Sequence, residues 1–402
     1  MPALLSTTPH ATHTAQRNLR LLVAAQSLGG AAPPIIISLG GLVGQMLTSS
    51  PALATLPVSL YNLGLALSTL PAALLMRRIG RRNAYVLGAI LAIFSAGMAT
   101  LGILQNSFLT FCVGTAMAGF YGACVQSYRF AASDVVSATE RPKAISQIMV
   151  GGLIAAIIGP QVVIWTRDLW PTAQFAGSFV SQGALAFLAL PFLFLLRLPP
   201  AQVEASADST TARPLKVIAR TPQFIVAVSA GVVSYGLMAF IMTAAPMAMV
   251  QNGFSVSQAA LGIQWHVLAM FAPSFFTGLL ITKFGKRTIT AAGLLLIAAS
   301  GIVAFGGLQL WHFWGSLILL GVGWNFGFIG ATALITDVYT PAERSKVQSL
   351  NDFMVFGTVA IASFGSGQLL QHIGWALINI YMLGLIALVL LMLVWPHKTV
   401  QA

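Results

Sequence analysis

Twelve apolar stretches, each long enough to cross a membrane, follow one another along the chain and leave few other folds open. The hydrocarbon layer of a bilayer is about 30 Å thick, so a crossing helix needs about 20 apolar residues. Because backbone groups in lipid must be hydrogen-bonded within the protein, runs of this length favour helices. Of the 402 residues, 57% are hydrophobic and only 7% are charged, as in an integral membrane protein. We predict spans at 19–45, 52–76, 84–104, 108–129, 144–166, 173–196, 223–249, 257–282, 288–308, 312–336, 346–370 and 374–396.

The basic residues indicate how these spans are oriented. If the N-terminus is cytoplasmic, all of the 20 Lys and Arg residues except Arg167 fall in cytoplasmic segments. Cytoplasmic loops are enriched in Lys and Arg, so this asymmetry predicts a multi-pass membrane protein with both termini in the cytoplasm. The net charge of +12 is then explained by loops that face anionic lipid. The expected partner is the lipid bilayer, and nucleic acid need not be invoked.

An internal repeat divides the chain into two halves. The segment "RRIGRRN" after the second span has a counterpart in "TKFGKRT" after the eighth. The segment "SDVVSATERPKAIS" from residue 133 aligns without a gap with "TDVYTPAERSKVQS" from residue 336. Both matches have nearly the same offset, which is typical of parallel repeats in transporters. We predict six-helix bundles at 1–196 and 223–402, joined by a cytoplasmic linker at 197–222.

The basic loops resemble those of the major facilitator superfamily, which carries G-x-x-x-D-R/K-x-G-R/K-R/K after its second and eighth helices. The chain departs from this pattern at Ala73, Arg77 and Thr282. The resemblance implies an all-α membrane protein of twelve transmembrane helices in two pseudo-twofold halves. The halves would rock about a central site near the bilayer midplane. The residues that match the gating loops are Arg78, Gly80, Arg81, Arg82, Lys283, Gly285, Lys286 and Arg287.

Two pairs of soft donor side chains lie at similar depth on the seventh and eighth spans. Met238 and Met242 are four residues apart, as are His266 and Met270, so each pair lies on one helix face. Counting about 1.5 Å per residue from the turn near 250–256 places both pairs at matching depth. Three thioethers and one imidazole suit Cu(I). The alternative is that the methionines fill the core and the histidine hydrogen-bonds a neighbour.

The acidic residues give little support to a proton relay. All eight fall in loops or near the ends of predicted helices, so His266 is the one ionisable side chain expected deep in the bundle. Drug/proton antiporters of the superfamily are expected to end their fifth helix with G-P-x-x-G-G. Here "GPQVVI", residues 159–164, departs from that ending.

The spacings M-x-x-x-M and H-x-x-x-M are similar to the signature of the CcoA-like branch of this superfamily. The resemblance implies an inner-membrane copper importer that supplies assembly of cbb3-type cytochrome oxidase, and neither an enzyme nor a protein with a resident cofactor. Its cargo would be a copper ion, as Cu(I), passed to a cytoplasmic copper acceptor. Met238, Met242, His266 and Met270 would be the ligands, and Met247 and Met249 an entry site.

Riboflavin import is the alternative, because close relatives of the same branch import riboflavin. A flavin needs aromatic faces for stacking and polar groups around its ring edge. A non-transporting sensor or assembly factor on the same fold is a third, less favoured hypothesis. The candidate flavin contacts are Tyr128, Gln161, Trp165 and Trp265, together with Tyr61, Asn62, Gln126, Trp324 and Asn325.

Overall fold

The computed structural model describes residues 9–137, 140–198, 213–340 and 342–394. In these ranges all of the regular secondary structure is helical, and turns and short segments connect the helices. The α-helices are α1 (Pro9–Gly29), α2 (Ala32–Leu47), α3 (Leu56–Ile79), α4 (Arg81–Leu104), α5 (Phe108–Gln126), α6 (Tyr128–Asp134), α7 (Arg141–Thr166), α8 (Ala176–Phe194), α9 (Leu215–Ala219), α10 (Pro222–Gln251), α11 (Val256–Phe271), α12 (Ser274–Phe284), α13 (Lys286–Phe305), α14 (Leu310–Ile335) and α15 (Arg344–Val394).

The described helices account for twelve membrane spans. Ten helical segments are long and apolar enough to cross a bilayer, and the pair α11 and α12, bent by 44°, supplies an eleventh. The segment Lys346–Val394 has 49 residues, or about 74 Å of helix at 1.5 Å per residue, more than twice the hydrocarbon thickness. It is interrupted at Gly374, where φ is +76°, and therefore counts as two spans. The predicted all-α, twelve-helix membrane fold is confirmed.

The first and eighth spans are broken, although the sequence predicted continuous helices there. The first breaks between α1 and α2, just before Pro33 and Pro34, and the eighth breaks beside Pro273. Proline lacks the N–H that a helix interior requires. At the second break, Asn325 of α14 donates a hydrogen bond to the carbonyl oxygen of Met270 at 2.6 Å. A neighbouring helix thus satisfies a backbone group that would otherwise be unpaired in the membrane.

The helices pack into two bundles that follow the order of the sequence. In the first bundle, α4 packs on α5 and α8, and α3 packs on α5. In the second, α13 packs on α14, and α10 packs on α14 and α15. The first bundle ends with α8 and the second begins with α10. Residues 199–212 of the predicted linker lie outside the described residues, so the boundaries 1–196, 197–222 and 223–402 stay predictions.

The repeated loops form two equivalent ion pairs. Arg81 Nη1 lies 2.6 Å from Asp134 Oδ2, and Lys286 Nζ lies 2.5 Å from Asp337 Oδ1. The two pairs occupy corresponding positions of the two halves. Each loop turns at a glycine with positive φ, +83° in the first half and +88° in the second. Such a conformation favours glycine because it has no Cβ. The gating role of these loops stays a prediction.

A third ion pair ties the segment before α9 to the second bundle. Arg213 donates hydrogen bonds from its backbone N, Nε and Nη2 to the Glu343 carboxylate, at 2.8 to 2.9 Å. The Glu343 side chain is only 1% exposed. The hydrogen bonds from Arg213 therefore hold the pKa of this carboxyl below its usual range. The sequence predicted a cytoplasmic linker here, and the structure places a paired, buried carboxylate beside it.

We expect Glu343→Gln to lower the free energy of unfolding by about 2 kcal/mol at pH 7. Loss of one partner of a buried pair costs about 3 to 5 kcal/mol, and the exposure of Arg213 reduces that value. Because the folded pKa is depressed, the pair stabilises fully above the ordinary Glu pKa of about 4.3 and is lost as pH falls below it. The difference from wild type, measured by thermal unfolding in detergent, should therefore shrink below about pH 4.

The matched control is Asp337→Asn, which removes a carboxylate that is 61% exposed. An exposed pair contributes at most about 1 kcal/mol, so this variant should unfold close to wild type. Equal thermal stability of Glu343→Gln and wild type at pH 7 would contradict the assignment.

Candidate functional site

The two bundles touch each other on the side of the membrane opposite the basic loops. Asn62 Nδ2 donates to Ser363 Oγ at 2.8 Å, and Gln161 Nε2 donates to Gln264 Oε1 at 3.0 Å. These bonds join α3 to α15 and α7 to α11. Two further contacts join the bundles: Thr55 packs against Gly367, and Met247 packs against Gly41. We call this group the seal, and its residue pairs are Gly41–Met247, Thr55–Gly367, Asn62–Ser363 and Gln161–Gln264.

On the side of the basic loops, each bundle carries a charged residue. Arg129 on α6 and Asp352 on α15 are both exposed. They interact electrostatically with each other, and Arg129 also interacts with Tyr235 of α10. We call the space between the bundles that these residues border the cavity. The seal joins the bundles on the opposite side of the membrane, and the exposed charges lie on the side of the basic loops.

An aromatic cluster lies deeper in the same cavity, near the middle of the spans. Tyr235 is its centre: its ring centroid lies 5.2 Å from that of Trp324, 4.9 Å from that of Phe328 and 5.7 Å from that of Phe356. Trp324 and Phe328 stack with an interplanar angle of 16°. Tyr235 is 13 residues beyond Pro222, which places it about 20 Å along α10. Rings from α10, α14 and α15 therefore offer stacking faces at one depth.

Unpaired polar groups adjoin the cluster. The indole Nε1 of Trp324 is buried and has no hydrogen-bond partner, and the same is true of the Tyr61 hydroxyl. Tyr61 comes from α3 of the first bundle and interacts electrostatically with Tyr235. Buried donors without partners are costly, so they commonly mark functional positions. The arrangement combines stacking surfaces, donors and a charged pair, and it suits a planar heteroaromatic ligand with polar edges.

The four predicted copper ligands are all buried in the second bundle. His266 is fully buried, and its Nδ1 donates to the carbonyl oxygen of Leu317 on α14 at 2.7 Å, leaving Nε2 without a partner. Met238, Met242 and Met270 belong to the same apolar core. This hydrogen bond satisfies one of the two ring nitrogens of the histidine. The role of the four residues as ligands stays a prediction.

The predicted copper-entry residues and flavin-contact residues lie in different parts of the structure. Met247 and Met249 are fully buried, with Met247 inside the seal. Tyr128 is buried in the first bundle, where its ring packs edge-on against Tyr85. Trp165 is 70% exposed near the end of α7, and Trp265 is 42% exposed on α11. Of the predicted flavin contacts, the structure places Trp324 in the aromatic cluster, Tyr61 on the facing helix α3, and Asn62 and Gln161 in the seal.

Sequence reasoning missed four residues of the cavity: Tyr235, Phe328, Phe356 and Asp352. The sequence contains a spacing that could have indicated them: Trp324 and Phe328 are four residues apart, as are Asp352 and Phe356. Such spacing puts both members of a pair on one helix face.

We expect Gly367→Val to open the seal. A Cβ at this position would lie 2.5 Å from Thr55 Oγ1 and 2.6 Å from Thr55 Cγ2, so α15 must move away from the start of α3. Spin labels at Trp170→Cys and Gln251→Cys, on the sealed side of opposite bundles, should report a new population at longer distance. The measurement is pulsed electron paramagnetic resonance on purified protein.

Gly365→Val is the matched control, because a Cβ at Gly365 meets no atom within 4 Å. It should keep the wild-type distance distribution. An unchanged distribution in Gly367→Val would show that this contact does not hold the seal closed.

Comparison with known proteins identifies what this architecture is similar to. The model of the Major Facilitator Superfamily matches residues 21–243 and 227–401. The solved structure of a point mutant of the nucleoside transporter NupG superposes with a TM-score of 0.73 at 14% identity, covering 94% of this chain and 98% of that one. At that identity the likeness concerns the fold alone.

Two curated relatives match nearly the whole chain. The riboflavin transporter RfnT of Brucella anthropi is 62% identical over 384 residues, which is 96% of each chain. The MFS-type transporter YddS of Bacillus subtilis is 28% identical and covers 96% of this chain and 92% of its own length. The first relative overturns the prediction of a copper importer. That prediction depended on two four-residue spacings, whereas the similarity to a riboflavin transporter extends over 384 residues.

Proposed function

This chain belongs to the major facilitator superfamily and is a multi-pass membrane transporter, and on that premise we propose that it imports riboflavin. The observation that carries the proposal is the 62% identity, over 96% of both chains, to a riboflavin transporter. The chemistry of the cavity supports it independently of sequence similarity. Riboflavin has a planar three-ring system and a hydroxylated side chain, and the aromatic cluster offers matching faces.

The ring system would bind against Tyr235, Trp324 and Phe328. Stacking of a heteroaromatic base on an aromatic side chain contributes about 1 to 3 kcal/mol in other proteins. The unpaired Trp324 Nε1 and Tyr61 hydroxyl are donors for the carbonyl and nitrogen acceptors along the ring edge. Because Tyr61 comes from the first bundle and Trp324 from the second, the substrate would be held between the two halves.

Transport would follow from rocking of the halves about this site. In the bacterial inner membrane the basic loops would face the cytoplasm, with both termini on that side. The present structure would then be the state that releases riboflavin inward. To load from outside, the seal must separate and the basic-loop side must close.

The proposal is tested by uptake of radiolabelled riboflavin in bacterial cells that cannot synthesise or otherwise import it. Expression of this chain should give saturable uptake and should restore growth at low external riboflavin. Unlabelled riboflavin should compete, and unlabelled uridine should not. Cells that express the protein in the membrane and take up no riboflavin would overturn the proposal.

A further inference from the structure

A groove runs between α1 and α7, at the end of the first bundle that carries the basic loops. Its volume is about 870 Å³, within the range of about 300 to 1,000 Å³ that is usual for small-molecule sites. Gln16 and Arg20 of α1 line one wall, and Lys143 and Gln147 of α7 line the other. The residues that follow α6 close a third side. The groove belongs to the first bundle and lies apart from the aromatic cluster.

The groove opens on the outside of the first bundle. A Cβ at Gly29 would meet the Tyr121 hydroxyl and the Val125 side chain of α5, so this face of α1 packs on α5. Arg20 is nine residues before Gly29, or about two and a half helical turns, and therefore lies on the opposite face of α1. The Arg20 side chain is exposed. A ligand can thus reach the groove from the surroundings of the bundle.

The groove is basic at its outer end and apolar toward the middle of the membrane. Arg20 and Lys143 lie at the predicted starts of the first and fifth spans, residues 19 and 144. Within the described ranges, neither side chain forms an ion pair or a hydrogen bond. Val23 and Val150 line the groove about 5 Å and 11 Å deeper along α1 and α7, at 1.5 Å per residue. This polarity matches that of a lipid, with a charged head and an apolar chain.

One carboxylate shares the groove with the two cations. Glu140 lines the groove and accepts a hydrogen bond from the Ser137 hydroxyl at 2.9 Å. Two positive charges, from Arg20 and Lys143, and one negative charge leave a net positive charge among these three residues. The groove therefore favours a head that carries one negative charge and also has hydroxyl groups that can donate to Glu140.

We propose that this groove binds an anionic phospholipid of the cytoplasmic leaflet, with phosphatidylglycerol as the matching headgroup, whatever the transported substrate is. Its phosphate diester would lie between Arg20 and Lys143, and its glycerol hydroxyls would donate to Glu140. One acyl chain would follow Val23 and Val150. Basic pockets between membrane helices on the cytoplasmic side are suited to anionic headgroups. A choline headgroup has no net charge with its phosphate and no donor for Glu140, so it should bind weakly.

The test is native mass spectrometry of the purified full chain with equimolar phosphatidylglycerol and phosphatidylcholine. The first lipid bound to wild type should be phosphatidylglycerol about 5-fold more often than phosphatidylcholine. The double variant Arg20→Gln/Lys143→Gln should lose this preference. The matched control is Lys216→Gln/Arg220→Gln, which removes two exposed positive charges at α9 on the same side of the membrane. The control should keep the preference.

A second variant tests the apolar end of the groove and leaves its charges in place. Val150 is 42% exposed, so Val150→Trp can fill the groove without disturbing the core. It should lower the occupancy by phosphatidylglycerol about 5-fold and decides the question if the double variant does not fold. Glycerophosphoglycerol, the headgroup without acyl chains, should not displace the lipid at equal concentration.

Three results would overturn the proposal. The first is equal binding of phosphatidylglycerol and phosphatidylcholine by wild type, or binding of phosphatidylethanolamine at least as strong as that of phosphatidylglycerol. The second is an unchanged preference in folded Arg20→Gln/Lys143→Gln or unchanged occupancy in Val150→Trp. The third is displacement of the lipid by glycerophosphoglycerol, which would indicate a site for soluble phosphate esters instead.

Discussion

Replacement of Tyr235 by alanine should weaken riboflavin binding by between about 10-fold and 100-fold. Tyr235 contacts the rings of Trp324, Phe328 and Phe356, so its loss removes one stacking face and loosens the others. Removal of one stacking partner costs about 1 to 3 kcal/mol, or about 5-fold to 160-fold in affinity, a range that contains the expected loss. The measurement is titration of flavin fluorescence with the purified protein.

Two variants distinguish stacking from a general loss of structure. Tyr235→Phe keeps the ring and should bind riboflavin within a few-fold of wild type. Tyr381→Ala removes a tyrosine that is 67% exposed on α15, away from the cluster, and should have no effect on affinity. Equal affinities of wild type and Tyr235→Ala would show that the cluster is not the flavin site.

Gly293→Ala should strongly reduce the fraction of the protein that is correctly folded. A Cβ at this position of α13 would lie 2.1 Å from the backbone nitrogen of Gly327 on α14 and 2.6 Å from its Cα. Backbone atoms cannot move aside as a flexible side chain can, so the two helices must separate along their contact. We expect a loss of at least about 3 kcal/mol, seen as aggregation or a lower unfolding temperature in size-exclusion and thermal assays.

Gly384→Ala is the matched control, since a Cβ at Gly384 meets no atom within 4 Å. Alanine is also the better helix former, so this variant should be as stable as wild type or slightly more stable. If Gly293→Ala and Gly384→Ala behave alike, close packing of α13 on α14 does not limit stability.

The wrong prediction of copper transport shows what a four-residue spacing can and cannot establish. Pairs four residues apart establish that two side chains share a helix face, and the structure places Met238, Met242 and Met270 in one apolar core and buries His266 completely. The same pattern does not reveal what else contacts those side chains. The bond from His266 to the Leu317 carbonyl joins residues 51 positions apart, and no local spacing predicts it.

The ion pairs illustrate the opposite case. In the sequence repeat, Asp134 aligns with Asp337, and in the basic loops Arg81 aligns with Lys286. The structure joins each basic residue to the acid of its own half. Symmetry between the halves is thus visible in the sequence, because each half retains a basic residue and an aspartate at nearly the same spacing, 53 and 51 positions.

The sequence by itself determined the membrane class, the helical spans, the repeat and the superfamily, since each follows from apolar length, charge placement and local motifs that act within one segment. The tertiary structure decided the site. Tyr235, Trp324 and Phe356 come from three helices, and the seal pairs Asn62 with Ser363 across two bundles. Their proximity depends on how α3, α10, α14 and α15 pack. Packing between distant segments is set by the shapes of whole helix faces, which no short pattern encodes.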